Sequence, residues 1–247
     1  QAFVPLLRLS RSVADDFYRA FAHSNLGSIY AHNGKLERAK QEFQKAIELE
    51  PTLPIGYLNL GTYHASRGEF HRARTQFLLA RERYIIYKWG YPMPPELDLN
   101  LARINLQLKS FSEAEKYIHQ YLQKSPSSSE GLLLLGQIYQ EEGKMELSEK
   151  AYRKIQIGGL YSAKAHNNLG ILFIKQNKYE KARDAFNAAI KFHPKVSDAH
   201  YNLGKLILDS KGDLTLARKH LEFALAYNQS PSMKQEIDRL LQQILSR

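Results

Sequence analysis

The sequence contains no cysteine, which excludes disulfides, thiolate metal centres and a cysteine nucleophile together. It holds no apolar run near the roughly 18 to 20 residues needed to cross a bilayer as a helix. The stretch Ala2-Phe3-Val4-Pro5-Leu6-Leu7 is apolar but short, and it ends at Arg8 and Arg11, unlike a signal peptide. A start at Gln1 rather than Met suggests a processed product or a fragment of a longer polypeptide. No phosphate-cradling glycine loop is present, since Gly143-Lys144 runs into Met145 with the wrong preceding spacing. No serine-nucleophile motif and no paired carboxylates stand out. These gaps lead to an expectation of no catalytic residues, no metal and no cofactor. Composition assigns no compartment, because a cysteine-free chain is tolerated in any of them.

What is present is ordinary in amount and unusual in arrangement. The 247 residues are 43% hydrophobic and 24% charged, enough for a sizeable core in one or two domains. Lys and Arg number 35 against 25 Asp and Glu, a formal net charge of +10 that favours acidic partners through long-range attraction. Asn-Leu-Gly occurs at 25–27, 59–61, 168–170 and 202–204, with Asn100-Leu101-Ala102 and Leu134-Leu135-Gly136 between them. The small residues Gly27, Gly61, Ala102, Gly136, Gly170 and Gly204 are thus spaced by 34, 41, 34, 34 and 34 residues. A second small residue follows twelve positions on, at Ala39, Ala73, Ala114, Ser148 and Ala182, with Ala217 one place late. Four further on stand Phe43, Phe77, Tyr152 and Phe186, with Ile118 or Tyr117 as the weaker match. Leu26, Ile29 and Tyr30, then Leu36, Ala39, Phe43, Ala46 and Ile47, recur at three and four. That periodicity predicts two helices broken at Asn33-Gly34-Lys35.

The pattern resembles the tetratricopeptide repeat over about residues 20 to 230, nearly the whole chain. The resemblance implies an all-α, right-handed superhelical solenoid of six helix-turn-helix units with a C-terminal capping helix. The expected boundaries are 1–19 for an extension of the first helix, 20–53 and 54–87 for the first two repeats, and 88–94 for an insertion. Repeats three to six follow at 95–128, 129–162, 163–196 and 197–231, with the cap at 232–247. Ile237, Leu240, Leu241, Ile244 and Leu245 form its apolar stripe, and Ser12 followed by Asp15 reads as an N-cap that starts the first helix near Val13.

In this family the first helix of each unit lines a concave groove, and the resemblance places Asn25, Asn59, Asn100, Asn168 and Asn202 at one groove position. A primary amide offers a donor and an acceptor to a peptide backbone. The set is similar to the asparagine ladder of protein O-linked N-acetylglucosamine transferase, although asparagine at this position can equally serve the fold. Phe21, Ile55 and Leu58 are the expected apolar anchors, and Arg103 is a further groove residue. Groove positions of the first two repeats carry no full charge. Later ones carry Arg103, Lys164, Lys175 and Lys205 against Glu96, Glu130, Glu141, Asp198 and Asp209, nearly neutral. The surplus charge is therefore expected outside the groove, for instance at Arg72, Arg74, Arg81, Arg83 and Lys88.

The chaperone-binding carboxylate clamp of some relatives is not met, since Ser24/Ser28, Leu58/Thr62 and Asn167/Ile171 occupy its positions. Trp89, the single tryptophan, sits in the insertion and reads either as a contact hot spot or as a loop filling a packing defect. His23, His166 and His200 share one repeat position, and imidazole–metal bonds of about 2.0–2.1 Å exclude ligation between repeats, so they read as packing residues. The expected role is a scaffold gripping an extended protein or peptide segment. The alternatives are a repeat domain of a larger membrane, glycosyltransferase-type or assembly protein, or anionic-surface binding by the basic exterior. Nucleic acid ranks low because the aromatics fall at core positions of the repeat. Open ends of such stacks also favour self-association.

Overall fold

A computed structural model describes residues 13–87, 92–155, 158–228 and 230–246. Among them it shows thirteen α-helices and no strand. The chain divides into two compact units, Gln1–Pro126 and Ser127–Arg247. The first holds α1 (Val13–His32), α2 (Leu36–Leu49), α3 (Pro54–Ser66), α4 (Phe70–Tyr87), α5 (Pro95–Gln107) and α6 (Phe111–Lys124). The second holds α7 (Ser129–Glu142), α8 (Met145–Arg153), α9 (Leu160–Lys175), α10 (Tyr179–Phe192), α11 (Ser197–Asp209), α12 (Leu214–Tyr227) and α13 (Pro231–Leu245). Odd and even helices pair as six hairpins, and α13 packs on α12. Val13 is the first described residue and is already helical; the proposed cap Ser12 lies outside the described residues, as do residues 2–7.

Each hairpin closes through one turn geometry. Gly34, Gly68, Lys109, Gly143, Asn177 and Lys211 all have positive φ, between 53° and 87°. The amide of the following residue reaches back to the carbonyl five before it: Lys35 to Tyr30, Glu69 to His64, Ser110 to Asn105, Lys144 to Tyr139, Lys178 to Phe173 and Gly212 to Ile207, all at 2.8–2.9 Å. This is the Schellman closure of a helix, which satisfies carbonyls that would otherwise be orphaned. The sequence pattern located only the first of these turns, because lysine fills the position twice. In the sixth hairpin Asp213 adds one residue and accepts from the amides of Thr215 and Leu216 at 2.8 and 3.2 Å, capping α12. That insertion is why Ala217 arrives one place late.

The hairpins are held by a close approach of their two helices. A Cβ built on Gly27 would lie 2.5 Å from the Phe43 ring, and one on Gly61 2.6 Å from the Phe77 ring. Gly136 and Gly170 face Tyr152 and Phe186 in the same way. Ala39, Ala73, Ala114, Ser148, Ala182 and Ala217 are all 0% exposed. Ser148 is tolerated there because its hydroxyl donates to the Gly136 carbonyl at 2.8 Å. Repeat three carries Ala102 in place of glycine and the fully buried Ile118 in place of the ring, so a methyl gained on one helix is matched by bulk lost on the other.

Two irregularities break the period. Helix α4 has 18 residues where α2 has 14 and ends at Tyr87, before the expected insertion at 88–94, of which residues 88–91 lie outside the described residues. Its extra turn leaves Ile85, Ile86 and Tyr87 exposed. Beyond it α3 and α5 scarcely touch, whereas α1–α3, α7–α9 and α9–α11 pack directly. Asp98 on α5, 1% exposed, lies 2.9 Å from Lys124 Nζ on α6 and 3.6 Å from Arg81 Nε on α4. Helix α8 is the opposite case, with 9 residues. It stops before Gly158-Gly159, and α9 begins early at Leu160. In the terminal helix Ile237 and Leu240 are buried, but Leu245 is 70% exposed, so the predicted stripe is used only in part.

The close approach makes a compensation test. Gly61→Ala is expected to destabilise by about 1–2 kcal/mol, overpacking outweighing its better helix propensity. Phe77→Ile costs about 1 kcal/mol or more alone, yet Gly61→Ala/Phe77→Ile should be clearly more stable than the sum of the two, as read by urea denaturation. Separately, Lys211→Gly should stabilise by about 0.5–1 kcal/mol in the same assay by removing a left-handed lysine.

Candidate partner-binding groove

The odd-numbered helices carry the predicted groove residues, and α1 with α3, α7 with α9 and α9 with α11 pack directly. In the first unit α1 and α3 are joined by an amide. Asn59 Nδ2 donates to Ser24 Oγ at 2.9 Å and to Ser28 Oγ at 3.3 Å. The hydroxyl of Ser28 itself donates to the Ser24 carbonyl at 3.1 Å, so towards Asn59 its oxygen can only accept. This fixes which end of the Asn59 amide faces α1. The NH2 is engaged by the preceding repeat, and the carbonyl oxygen Oδ1 is the end left to accept. Phe21 is 45% exposed beside this pair of helices, while Asn25, Ile55 and Leu58 are half-buried and Thr62 is exposed.

The second unit repeats the device. Asn202 Nδ2 on α11 donates to Asn167 Oδ1 on α9 at 2.8 Å, the same 35-residue offset that separates Asn59 from Ser24. Asn168 Nδ2 lies 3.4 Å from the Tyr152 hydroxyl. Burial pushes the Tyr152 phenol up, against the opposing effect of its hydrogen bonds with Ser148 and Asn168. In repeat four the corresponding position is Leu134, 5% exposed, which interrupts the row. Asn100 is half-buried and Arg103 exposed on α5, the helix that has lost its packing on α3. Trp89 lies outside the described residues. The structure therefore brings Asn59 to α1 and Asn202 to α9 in matching fashion, and it separates Asn100 from that arrangement. The partners Ser24, Ser28, Asn167 and Tyr152 were not assigned this role from sequence. The signal was the repeat period plus one, which points each asparagine at the preceding helix's neighbouring position. Among the described residues no cluster of three or more His, Asp or Glu side chains could hold a metal ion.

Models of the tetratricopeptide repeat match residues 20–53, 58–129, 129–156 and 163–196. The chain belongs to the tetratricopeptide repeat family. It is 22% identical over 219 residues to tetratricopeptide repeat protein 8 of Caenorhabditis elegans, covering 88% of this chain and 42% of that protein. It is 26% identical over 217 residues to the human protein O-mannosyl-transferase TMTC1, covering 81% of this chain and 22% of the relative. The chain thus spans well under two thirds of either relative. Among solved structures, a crystal structure of the APC/C hetero-tetramer Cut9-Hcn1 aligns with a TM-score of 0.67 at 20% identity, over 92% of this chain and 42% of that one. The likeness establishes the fold.

The three histidines that share a position in this tetratricopeptide array each make a different contact within their own hairpin. His23 Nδ1 pairs with Glu42 Oε2 on α2, with both residues 9% exposed. Burial raises the Glu42 carboxyl, but hydrogen bonds from His23 and Lys45 outweigh this and hold it below the usual carboxylate range. His166 packs its ring 5.0 Å from that of Phe192 and bonds through Nδ1 with the Ser162 carbonyl. His200 Nε2 is 3.1 Å from the Pro194 carbonyl, and its Nδ1 is 2.9 Å from His220 Nδ1. A carbonyl only accepts, so the neutral His200 carries its proton on Nε2 and accepts at Nδ1 from His220 Nδ1–H. Burial lowers both imidazoles, and the neighbouring His200 and Lys219 lower His220 further.

Depressed folded-state values mean that the unfolded chain binds more protons. The stability due to this pair is complete above the unfolded value of about 6.5 and is lost as pH falls below it. The thermal midpoint should therefore drop between pH 7 and pH 5, and His200→Phe/His220→Leu should flatten that fall. An equally steep fall in the double variant would remove the pair as its cause.

Proposed function

We propose that the chain is a protein-interaction scaffold that takes an extended partner segment along the inner face of its odd-numbered helices. As a tetratricopeptide repeat protein it belongs to a fold whose general role is to bind other proteins. The observation that carries the finer reading is the pinning of Asn59 and Asn202. Each amide spends its NH2 on the preceding repeat, which immobilises the side chain before any partner arrives. A fixed acceptor loses less entropy on binding than a free side chain does. A row of such oxygens matches the N–H groups of an extended backbone with little regard to its sequence. Asn25, Asn100 and Asn168 extend the row, Phe21, Ile55 and Leu58 supply apolar anchors, and Arg103 and Trp89 complete the proposed set. The row has two parts in this reading, because α3 and α5 are no longer packed together and Leu134 interrupts the amides.

A second reading makes this array the repeat region of a larger membrane, glycosyltransferase-type or assembly protein. It is favoured by the match to an O-mannosyl-transferase of which this chain covers 22%, and reading the complete gene would decide it. In either case the array itself is proposed to be non-catalytic.

The test of the groove is a lysate capture with wild type beside Asn25→Ala/Asn59→Ala/Asn168→Ala, read by mass spectrometry. A client retained by wild type and lost by the variant at unchanged helicity is the expected result. Because Asn59 also ties α1 to α3, thermal melts of both proteins accompany the capture. Clients held equally by both proteins would move binding away from the amide row.

A further inference from the structure

Within a unit, the connections that lead from an even-numbered helix to the next odd-numbered one lie at the edge opposite the hairpin turns. In the second unit this edge has a composition that the first does not share. Residues 150–165, 188–197 and 227–235 contain no Asp or Glu. The stretch of repeat one that corresponds to 188–197, residues 45–54, carries Glu48 and Glu50 beside the single Lys45. Lys154, Lys191 and Lys195 are exposed, and none of the three forms an ion pair with a described residue.

Large apolar side chains stand among these lysines. Leu160, Tyr161, Phe192 and Tyr227 are exposed by 45%, 39%, 41% and 45%. The truncation of α8 and the early start of α9 bring Leu160 and Tyr161 to the surface. Contacts link the strip across repeats: Phe192 lies against His166, and a Cβ on Gly158 would sit 3.9 Å from the Phe192 ring. Lys195 Nζ lies 5.5 Å from the centre of the Tyr227 ring, which in turn packs 4.6 Å from Phe223. Aromatics at this edge are thus interleaved with uncompensated lysines, contrary to the expectation that aromatics fall only at core positions.

We propose that this edge docks on an anionic lipid bilayer, with Leu160, Tyr161, Phe192 and Tyr227 at the headgroup boundary and Lys154, Lys191 and Lys195 against acidic headgroups. Three features favour a membrane over a nucleic acid or an acidic protein. Leu160, Tyr161, Phe192 and Tyr227 are exposed at the start of α9 and the ends of α10 and α12, which leaves their apolar faces open to a planar partner. Tyrosine and lysine each carry an apolar body and a polar tip, the form that partitions to a bilayer interface. Arginine, whose planar fork reads phosphodiesters and carboxylates in bidentate fashion, contributes little here, because Arg153 is held by Glu149 at 2.8 Å. The strip uses a different surface from the amide row, so either proposal can fail alone.

The test is co-sedimentation of the full chain with phosphatidylcholine vesicles, with and without roughly 30% phosphatidylserine, at low and high salt. Binding to the anionic vesicles alone, weakened several-fold by salt, is the expected result. Lys191→Glu/Lys195→Glu should reduce it at least several-fold, and so should Leu160→Ser/Tyr161→Ser, which leaves every charge in place. Far-UV circular dichroism keeps misfolding separate from lost binding, and all four altered side chains are exposed. No sedimentation, equal sedimentation with neutral vesicles, or variants that bind like wild type would overturn the proposal. Displacement from vesicles by polyglutamate or a single-stranded oligonucleotide at lower concentration than lipid would overturn it in favour of an acidic polymer.

Discussion

Everything in this molecule hangs on how closely two helices of one hairpin can approach. Where Gly27, Gly61, Gly136 and Gly170 face an aromatic ring, no atom beyond the backbone fits between helix and ring. That contact sets the spacing within the hairpin, and the Schellman turn at its tip sets the angle at which the second helix returns. The turn recurs in all six hairpins and the glycine–ring contact in four of them. A single hairpin cannot cover its own apolar face, so stacking is the only way the core closes.

Function follows from what repetition places side by side. Because the inner helices of adjacent repeats lie in register, an asparagine in one reaches the serines or asparagine of the one before, at Asn59 with Ser24 and Ser28 and at Asn202 with Asn167. These bonds tie the two amides to the preceding repeat through their NH2 groups. The same regularity means that any departure from it is informative. Beyond the long α4, α5 scarcely touches α3, and the buried Asp98 of α5 pairs with Arg81 of α4 and Lys124 of α6. The short α8 uncovers Leu160 and Tyr161 at the loop edge of the second unit. Each departure produces a surface unlike any in the regular repeats.

Charge is distributed by the same logic. The groove positions expected from the sequence are close to neutral, which leaves the surplus of basic residues to the remaining surface. There it is uneven: the first connection carries two glutamates, whereas Lys154, Lys191 and Lys195 in the second unit form no ion pair with a described residue. A uniform positive coat would act only as a solubilising surface. A strip of unpaired lysines broken by aromatics has the makings of a recognition surface.

The amino-acid sequence alone determined the fold class, the number of hairpins and the residues at the helix contacts, because each rests on local periodicity and on the 34-residue repeat. It also determined which side chains belong to the inner helices. It could not decide what those side chains do, since Asn59 reads the same whether it faces solvent or Ser24, 35 positions away. The sequence placed His23, His166 and His200 at one position, but their different partners, Glu42, Phe192 and His220, come from the facing helix. Nor could it foresee that lysines would occupy two of the six left-handed turns, because only the closure of the hairpin forces that backbone. Exposure of Phe192 and Tyr161 was likewise decided by tertiary structure: an aromatic at a helix end is buried or bare according to how far the neighbouring helix runs, and α8 stops short.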